Sequence, residues 1–212
     1  MTDPMAKKII VVGSTNMDMV VKTNHIPVPG ETVLAGSFFM NPGGKGANQA
    51  VAVARLGGDA VFISKMGNDI FGKQSAQLLN DEGINTFYIL SDNDLPSGVA
   101  LITVDQTGEN SIVVASGANA NLHPADLENA LEEIGRANII LMQLEIPMDT
   151  VLFVARYAAG NGVRVILNPA PARELSPELL SHIDIITPNK TEAEMLSGIK
   201  VTNIETAKKA AK

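Results

Sequence analysis

Two hydrophobic periods alternate along this chain. Continuous apolar runs at residues 7–12, 60–65, 138–144, 163–167 and 183–186 are short and apolar on both faces, the pattern of strands buried inside a sheet. Between them the apolar positions recur at helical spacing. Ala47, Ala50, Val51 and Ala54 share one face of a helix over 47–57 that Gly57 and Gly58 stop. A second helix over 70–82 ends at Gly83, and a weak strand follows at 87–90. Leu127, Ala130, Leu131 and Ile134 mark a helix entered through Pro124, and Val151, Leu152, Ala155, Ala158 and Ala159 mark another, closed by Gly160 and Gly162. A short helix over 192–196 and a last one capped by Asn203, with Ile204, Ala207, Ala210 and Ala211, complete the series.

Strands alternating with helices predict an α/β fold around a mostly parallel sheet, whose ligands bind beyond the carboxyl ends of the strands. One part of the chain departs from that rhythm. Residues 98–105 and 110–115 are β-rich runs joined by Gln106-Thr107-Gly108-Glu109, a hairpin turn. Residues 20–21 and 32–39 also read as strand, set among Pro27, Pro29 and Gly30. These pieces group as a small separate sheet.

A chain of 212 residues can bury a sizeable core. Its formal charge of −7 argues against a nucleic-acid or anionic-membrane partner. No apolar run reaches the roughly 18 residues of a membrane span, and the first residues, MTDPMAKK, lack the apolar segment of a signal peptide. The sequence has no cysteine, so disulfides and thiolate metal sites are excluded, and a cytoplasmic location is expected. Only His25, His123 and His182 supply imidazole, none near another in sequence; the metal expected is a hard ion such as Mg²⁺ arriving with nucleotide phosphates.

The candidate chemistry gathers at the predicted strand ends. Residues 42–49, PGGKGANQ, crowd glycines around Lys45 before a helix, where helix-opening amides, the lysine and Asn48 suit a polyhydroxylated or anionic small molecule. A Walker loop fails, because Gly46 follows Lys45 and Phe39 stands at the first glycine position; the dinucleotide fingerprint fails at Gln49, so a dehydrogenase is disfavoured. After the first strand, Asn16 and Asp18 either hold vicinal hydroxyls or bond their own backbone in an Asx-turn. Glu145, at the mouth of a buried strand, is either a ligand or an exposed loop acid. Asn189 and Glu192 have the spacing of a helix capping box and could also face nucleotide phosphates. Residues 168–173, NPAPAR, form a stiff proline loop assigned to shape.

Taken together, GSTNMD at 13–18, PGET at 29–32, GGKGANQ at 43–49, MQLE at 142–145, NPAPARE at 168–174 and TPNKTEAE at 187–194 make the chain resemble the PfkB-type sugar kinase family. The resemblance runs over essentially the whole chain. It implies a ribokinase-like three-layer α/β sandwich around a mostly parallel sheet, with a small β lid drawn from about residues 19–40 and 97–116 of one domain spanning 1–212. It implies ATP-dependent phosphorylation of D-ribose at its 5-hydroxyl, with Asn16, Met17, Asp18, Gly44, Lys45, Gly46, Ala47, Asn48 and Glu145 binding the sugar. Asn189 and Glu192 would serve ATP phosphates and Mg²⁺, and two subunits would pair through the lid. The family's general base is the aspartate of a G-A-G-D motif, and no such motif occurs here. The base, most of the adenine site and a monovalent-cation (K⁺) site are therefore expected beyond residue 212, with the chain corresponding to the first two thirds of a family member and having little or no kinase activity alone. A non-catalytic sugar-binding fragment, or a kinase for a related sugar or nucleoside, are the alternative readings.

Overall fold

The computed structural model describes residues 7–34 and 36–211. In chain order the strands and helices are β1 (Lys8–Val12), β2 (Asn16–Lys22), β3 (Ser37–Gly43), α1 (Lys45–Arg55), β4 (Asp59–Gly67), α2 (Ile70–Asp81), β5 (Ile89–Asp92), β6 (Gly98–Val104) and β7 (Asn110–Ala115). Two 3-10 segments, Gly117–Asn121 and Pro124–Ala130, lead to α3 (Leu131–Arg136), β8 (Ile139–Met142), α4 (Met148–Gly160), β9 (Arg164–Leu167), α5 (Pro177–Leu180), β10 (Ile185–Ile186), α6 (Lys190–Ser197) and α7 (Ile204–Ala210).

Six strands form a parallel sheet in the order β10-β9-β8-β1-β4-β5. The apolar runs are continuous because both faces are covered. Along β1, Ile10 and Val12 enter a core shared with Ile134, Val151 and Val154 of α3 and α4, while Val11 enters another shared with Ala47, Ala50 and Leu79 of α1 and α2. The strand order leaves β1 in one direction through β4 and β5 and in the other through β8, β9 and β10. The order thus reverses at β1, and in open α/β sheets the crevice outside the strands' carboxyl ends at such a reversal is where ligands bind.

The irregular pieces form a separate sheet of four strands in the order β3-β2-β6-β7, with β2 and β6 parallel and both outer pairs antiparallel. Its strands differ from the sequence expectation. β2 starts at Asn16, ahead of Val20, and β3 runs from Ser37 through Gly43, so residues 32–34 stay irregular. Pro42 is tolerated because β3 is an edge strand. In the main sheet β5 starts two residues later than expected, and β10 shrinks to two residues. The helix expected near Pro124 splits into a 3-10 segment and the short α3.

A partly buried cation ties the return path from the small sheet to the frame. Lys65 of β4 donates to the Asn121 carbonyl and to Asp126 Oδ2, both at 2.9 Å, with Asp92 Oδ2 at 4.0 Å. The Asn121 side-chain amide, then the Leu95 and Asp94 amides, hold the Asp92 carboxyl down to about 2. This cluster fixes the segment Gly117–Asn121 against the carboxyl end of β4.

Candidate active site

At the reversal point, the ends of β1 and β8 and the start of α1 meet on one carboxylate. Glu145 Oε2 accepts from Ser14 Oγ at 2.5 Å and from the Lys45 backbone N–H at 3.0 Å, and Lys45 Nζ lies 3.8 Å from Glu145 Oε1. Ser14 occupies two more opening amides of α1: its carbonyl accepts from Ala47 N–H at 2.9 Å and its Oγ from Gly46 N–H at 3.4 Å. The helix-opening amides are therefore turned inward and paired, and they do not form an anion cradle. A carboxylate at this end also suits the helix dipole. The reading of Glu145 as an exposed loop acid is thus overturned.

The glycines serve backbone-on-backbone packing. Gly44 is a one-residue link between β3 and α1, with φ +92°, and a Cβ there would stand 2.8 Å from Asn16 N. A Cβ on Gly46 would stand 2.6 Å from Ser14 N, so the first turn of α1 lies directly on the segment joining β1 and β2. α1 starts at Lys45, earlier than the expected 47, because its cap comes from Glu145 on a distant strand end.

Asn16 and Asp18 are strand residues of β2, not an Asx-turn. Their alternation puts both on the side of a cavity of about 740 Å³, which Gly44, Lys45, Asn48 and Glu145 also line. Burial, and then the nearby Glu145 charge, push the Asp18 carboxyl above its ordinary range, with Lys45 opposing them. Ala100, Ile102, Ile112 and Val114 of β6 and β7 form the apolar wall. Ala170, Pro171 and Arg173 close the rim, so the NPAPAR loop brings a cation to the site as well as shape. Carboxylates, side-chain amides and a lysine beside an apolar wall can pair with the hydroxyl edge and C–H face of a polyhydroxylated small molecule.

Three of the expected sugar residues sit behind this surface. Met17 points from the other side of β2 into a separate cleft with Met40 and Leu78, Ala47 packs in the core under α1, and Gly46 is covered by Ser14. Asn189 and Glu192 form the capping box of α6: Asn189 Oδ1 accepts from Glu192 N at 2.9 Å, and Glu192 accepts from Asn189 N and Nδ2, both at 2.8 Å. Glu192 is 5% exposed yet reaches the same cavity, whereas Asn189 is not among its lining residues. A smaller cavity of about 560 Å³ at the amino ends of the strands, lined by Lys7, Arg164 and His182, contains none of these residues.

Two contributors escaped the sequence reading. Ser14 lies inside the GSTNMD motif, where the neighbouring amide and acid side chains carry the more evident binding chemistry. Asn119, in the 3-10 segment after β7, lines the cavity and bonds to Thr15 and Asn16. Its neighbours in sequence are Ala118 and Ala120, and no local pattern singles it out.

An α/β sheet with a polar, carboxylate-bearing cavity at its strand-order reversal and a β sheet over it defines a small-molecule enzyme class, and comparison with known proteins gives the family. The pattern described as pfkB family carbohydrate kinase matches residues 6–212, and the chain belongs to that family. The ribokinase of Haemophilus influenzae is 47% identical over 207 residues, covering 98% of this chain and 68% of that protein. The deoxyribokinase of Salmonella typhi is 40% identical over 96% of this chain and 67% of its own length. A solved structure of Arabidopsis thaliana ribokinase complexed with ribose and ATP superposes with a TM-score of 0.89 at 36% identity, covering 98% of this chain and 68% of that one. The chain thus spans about two thirds of the length of these relatives. The fold is ribokinase-like, as the resemblance implied.

Proposed function

We propose that this chain carries the sugar site of an ATP-dependent kinase acting on the 5-hydroxyl of D-ribose. The observation that carries the reading is the single cavity lined by Asn16, Asp18, Lys45, Asn48 and Glu145, which come from three separate motifs. Support comes from relatives named ribokinase and from the related structure complexed with ribose and ATP. Asp18 and Glu145 accept hydrogen bonds from sugar hydroxyls, Asn48 and Lys45 supply donors, and the wall of Ile102, Ile112 and Val114 excludes water from the ring face. The deoxyribokinase relative favours a second reading, in which the sugar is 2-deoxy-D-ribose.

ATP would present its phosphates near α6. Among the described residues no group of three or more His, Cys, Asp and Glu side chains is gathered to hold a metal. Glu192 lines the cavity, each of its oxygens accepts one hydrogen bond from Asn189, and a carboxylate oxygen can accept a second interaction. That donor set fits one hard cation carried in by phosphates, Mg²⁺ bringing charge neutralisation to the transferring group. Two copies would associate through the small sheet.

Isothermal titration of the 212-residue protein with D-ribose and 2-deoxy-D-ribose tests the reading. Ribose binding with weaker deoxyribose binding is expected; the reverse order supports the second reading, and no binding of either by a folded protein rejects both. Because the sequence lacks the G-A-G-D motif, none of its residues is assigned to accept the hydroxyl proton. A coupled assay is therefore expected to find little or no ribose-dependent ADP release from these residues alone.

A further inference from the structure

The side chain of Asn119 meets the backbone of Thr15 as a neighbouring strand would. Its Oδ1 accepts from Thr15 N–H, and its Nδ2 donates to the Thr15 carbonyl, both at 2.9 Å. Because a backbone N–H can only donate and a carbonyl only accept, these two bonds fix which end of the Asn119 amide is oxygen. The second Nδ2 proton then goes to Asn16 Oδ1 at 2.9 Å. Asn119 is 2% exposed and Asn16 4% exposed, so neither exchanges these bonds for water at little cost. Gly98 closes the arrangement: a Cβ there would stand 2.2 Å from Asn16 Oδ1 and 2.3 Å from Asn119 Nδ2.

With its oxygen committed to Asn119, the Asn16 side chain keeps its NH₂, which makes no hydrogen bond among the described residues, at the cavity wall beside Asp18. We propose that Asn119 is a positioning residue that orients the Asn16 amide, so that the site offers a donor there and demands an acceptor oxygen from its ligand. This rests on the sugar-binding reading. A hydroxyl can accept from Asn16 while donating its own proton to the Asp18 carboxylate, so the neighbouring donor and acceptor select for hydroxyl over hydrogen at that carbon. Asn119 itself need not touch the sugar.

The test uses the 212-residue protein, wild type and Asn119→Asp. The variant keeps an acceptor for Thr15 N–H and loses both donors, so Asn16 turns its NH₂ toward the new carboxylate. Ribose affinity by titration is expected to fall about tenfold or more, the worth of one well-placed hydrogen bond lost from a desolvated site. Side-chain ¹⁵N–¹H signals separate orientation from general damage. In the wild type the Asn16 NH₂ pair shifts on adding ribose, and in Asn119→Asp the fold is retained while that shift disappears. A folded variant that binds ribose like the wild type overturns the proposal. So does an Asn16 pair unmoved by ribose that binds. If the wild type binds no ribose, the functional reading falls separately. The orientation is then decided, as it also is if the variant fails to fold, by the Asn119 side-chain protons of the wild type. Slow exchange with water supports it, and fast exchange overturns it.

Discussion

At the scale of single residues, the chemistry of the cavity depends on Glu145 and Asp18 acting on each other. Glu145 accepts from Ser14 and from the first amide of α1, and its charge helps raise the Asp18 carboxyl. Glu145→Ala leaves a hydroxyl and an amide without their partner, a loss of about 1–3 kcal/mol that urea denaturation would measure. Glu145→Gln keeps an acceptor and should lose less. The sign at Asp18 is opposite to that of a salt-bridged acid. Its folded value lies above the unfolded one, so the stability it contributes is present below the unfolded value and lost as pH rises through the folded value. Asp18→Asn is therefore expected to raise the melting temperature at neutral pH while weakening ribose binding. In the wild type, ribose affinity should fall as pH drops through the raised Asp18 value, above the ordinary carboxylate value of about 3.9. Titrations across that range check it: the step disappears in Asp18→Asn and moves to lower pH in Glu145→Gln.

At the scale of elements, the decisive junction is the single residue between β3 and α1. Gly44→Ala forces a Cβ into positive φ and against the backbone of Thr15 and Asn16. Gly57 also has positive φ, at +83°, but a Cβ there meets nothing within 4 Å. Gly57→Ala should cost about 1–2 kcal/mol for the left-handed conformation alone, and Gly44→Ala clearly more, in paired denaturation curves. The contrast also explains what could be read from sequence. Strands such as β1 were legible because both faces are buried, which leaves an unbroken apolar run. Asn203 and Asn189 were legible as caps because their partners lie three residues away. The start of α1 was not, since its cap is Glu145, 100 positions distant, and the clamp of Asn119 on Thr15 spans 104. Residue types pointed to the carboxylates and amides of the site, but alternation along β2 turned Met17 away from it, and that required knowing β2 starts at Asn16.

At the scale of the whole molecule, the small sheet has two apolar faces with different duties. Ile102, Ile112 and Val114 face the cavity, so by alternation and register Leu101 and Val113, paired with each other, face away from it in line with Met19 and Met40. Leu101 is 55% exposed and Val113 65%, and among the described residues no strand pairs with the outer edges of β3 and β7. An apolar sheet face with open edges is a surface that isolated soluble chains avoid, and a second copy of the same sheet would cover it with matching chemistry. The 212-residue protein is therefore expected to be a dimer by light scattering coupled to gel filtration, with Leu101→Glu and Val113→Glu converting it to monomer. Both positions lie on the face away from the cavity, so ribose affinity per chain should change little in the monomeric variants. A wild-type protein that stays monomeric at high concentration would sink the pairing. If the variants dissociate and also lose ribose, the cavity wall depends on the partner sheet for its shape, because strands β6 and β7 carry the cavity on one face and would carry the partner on the other.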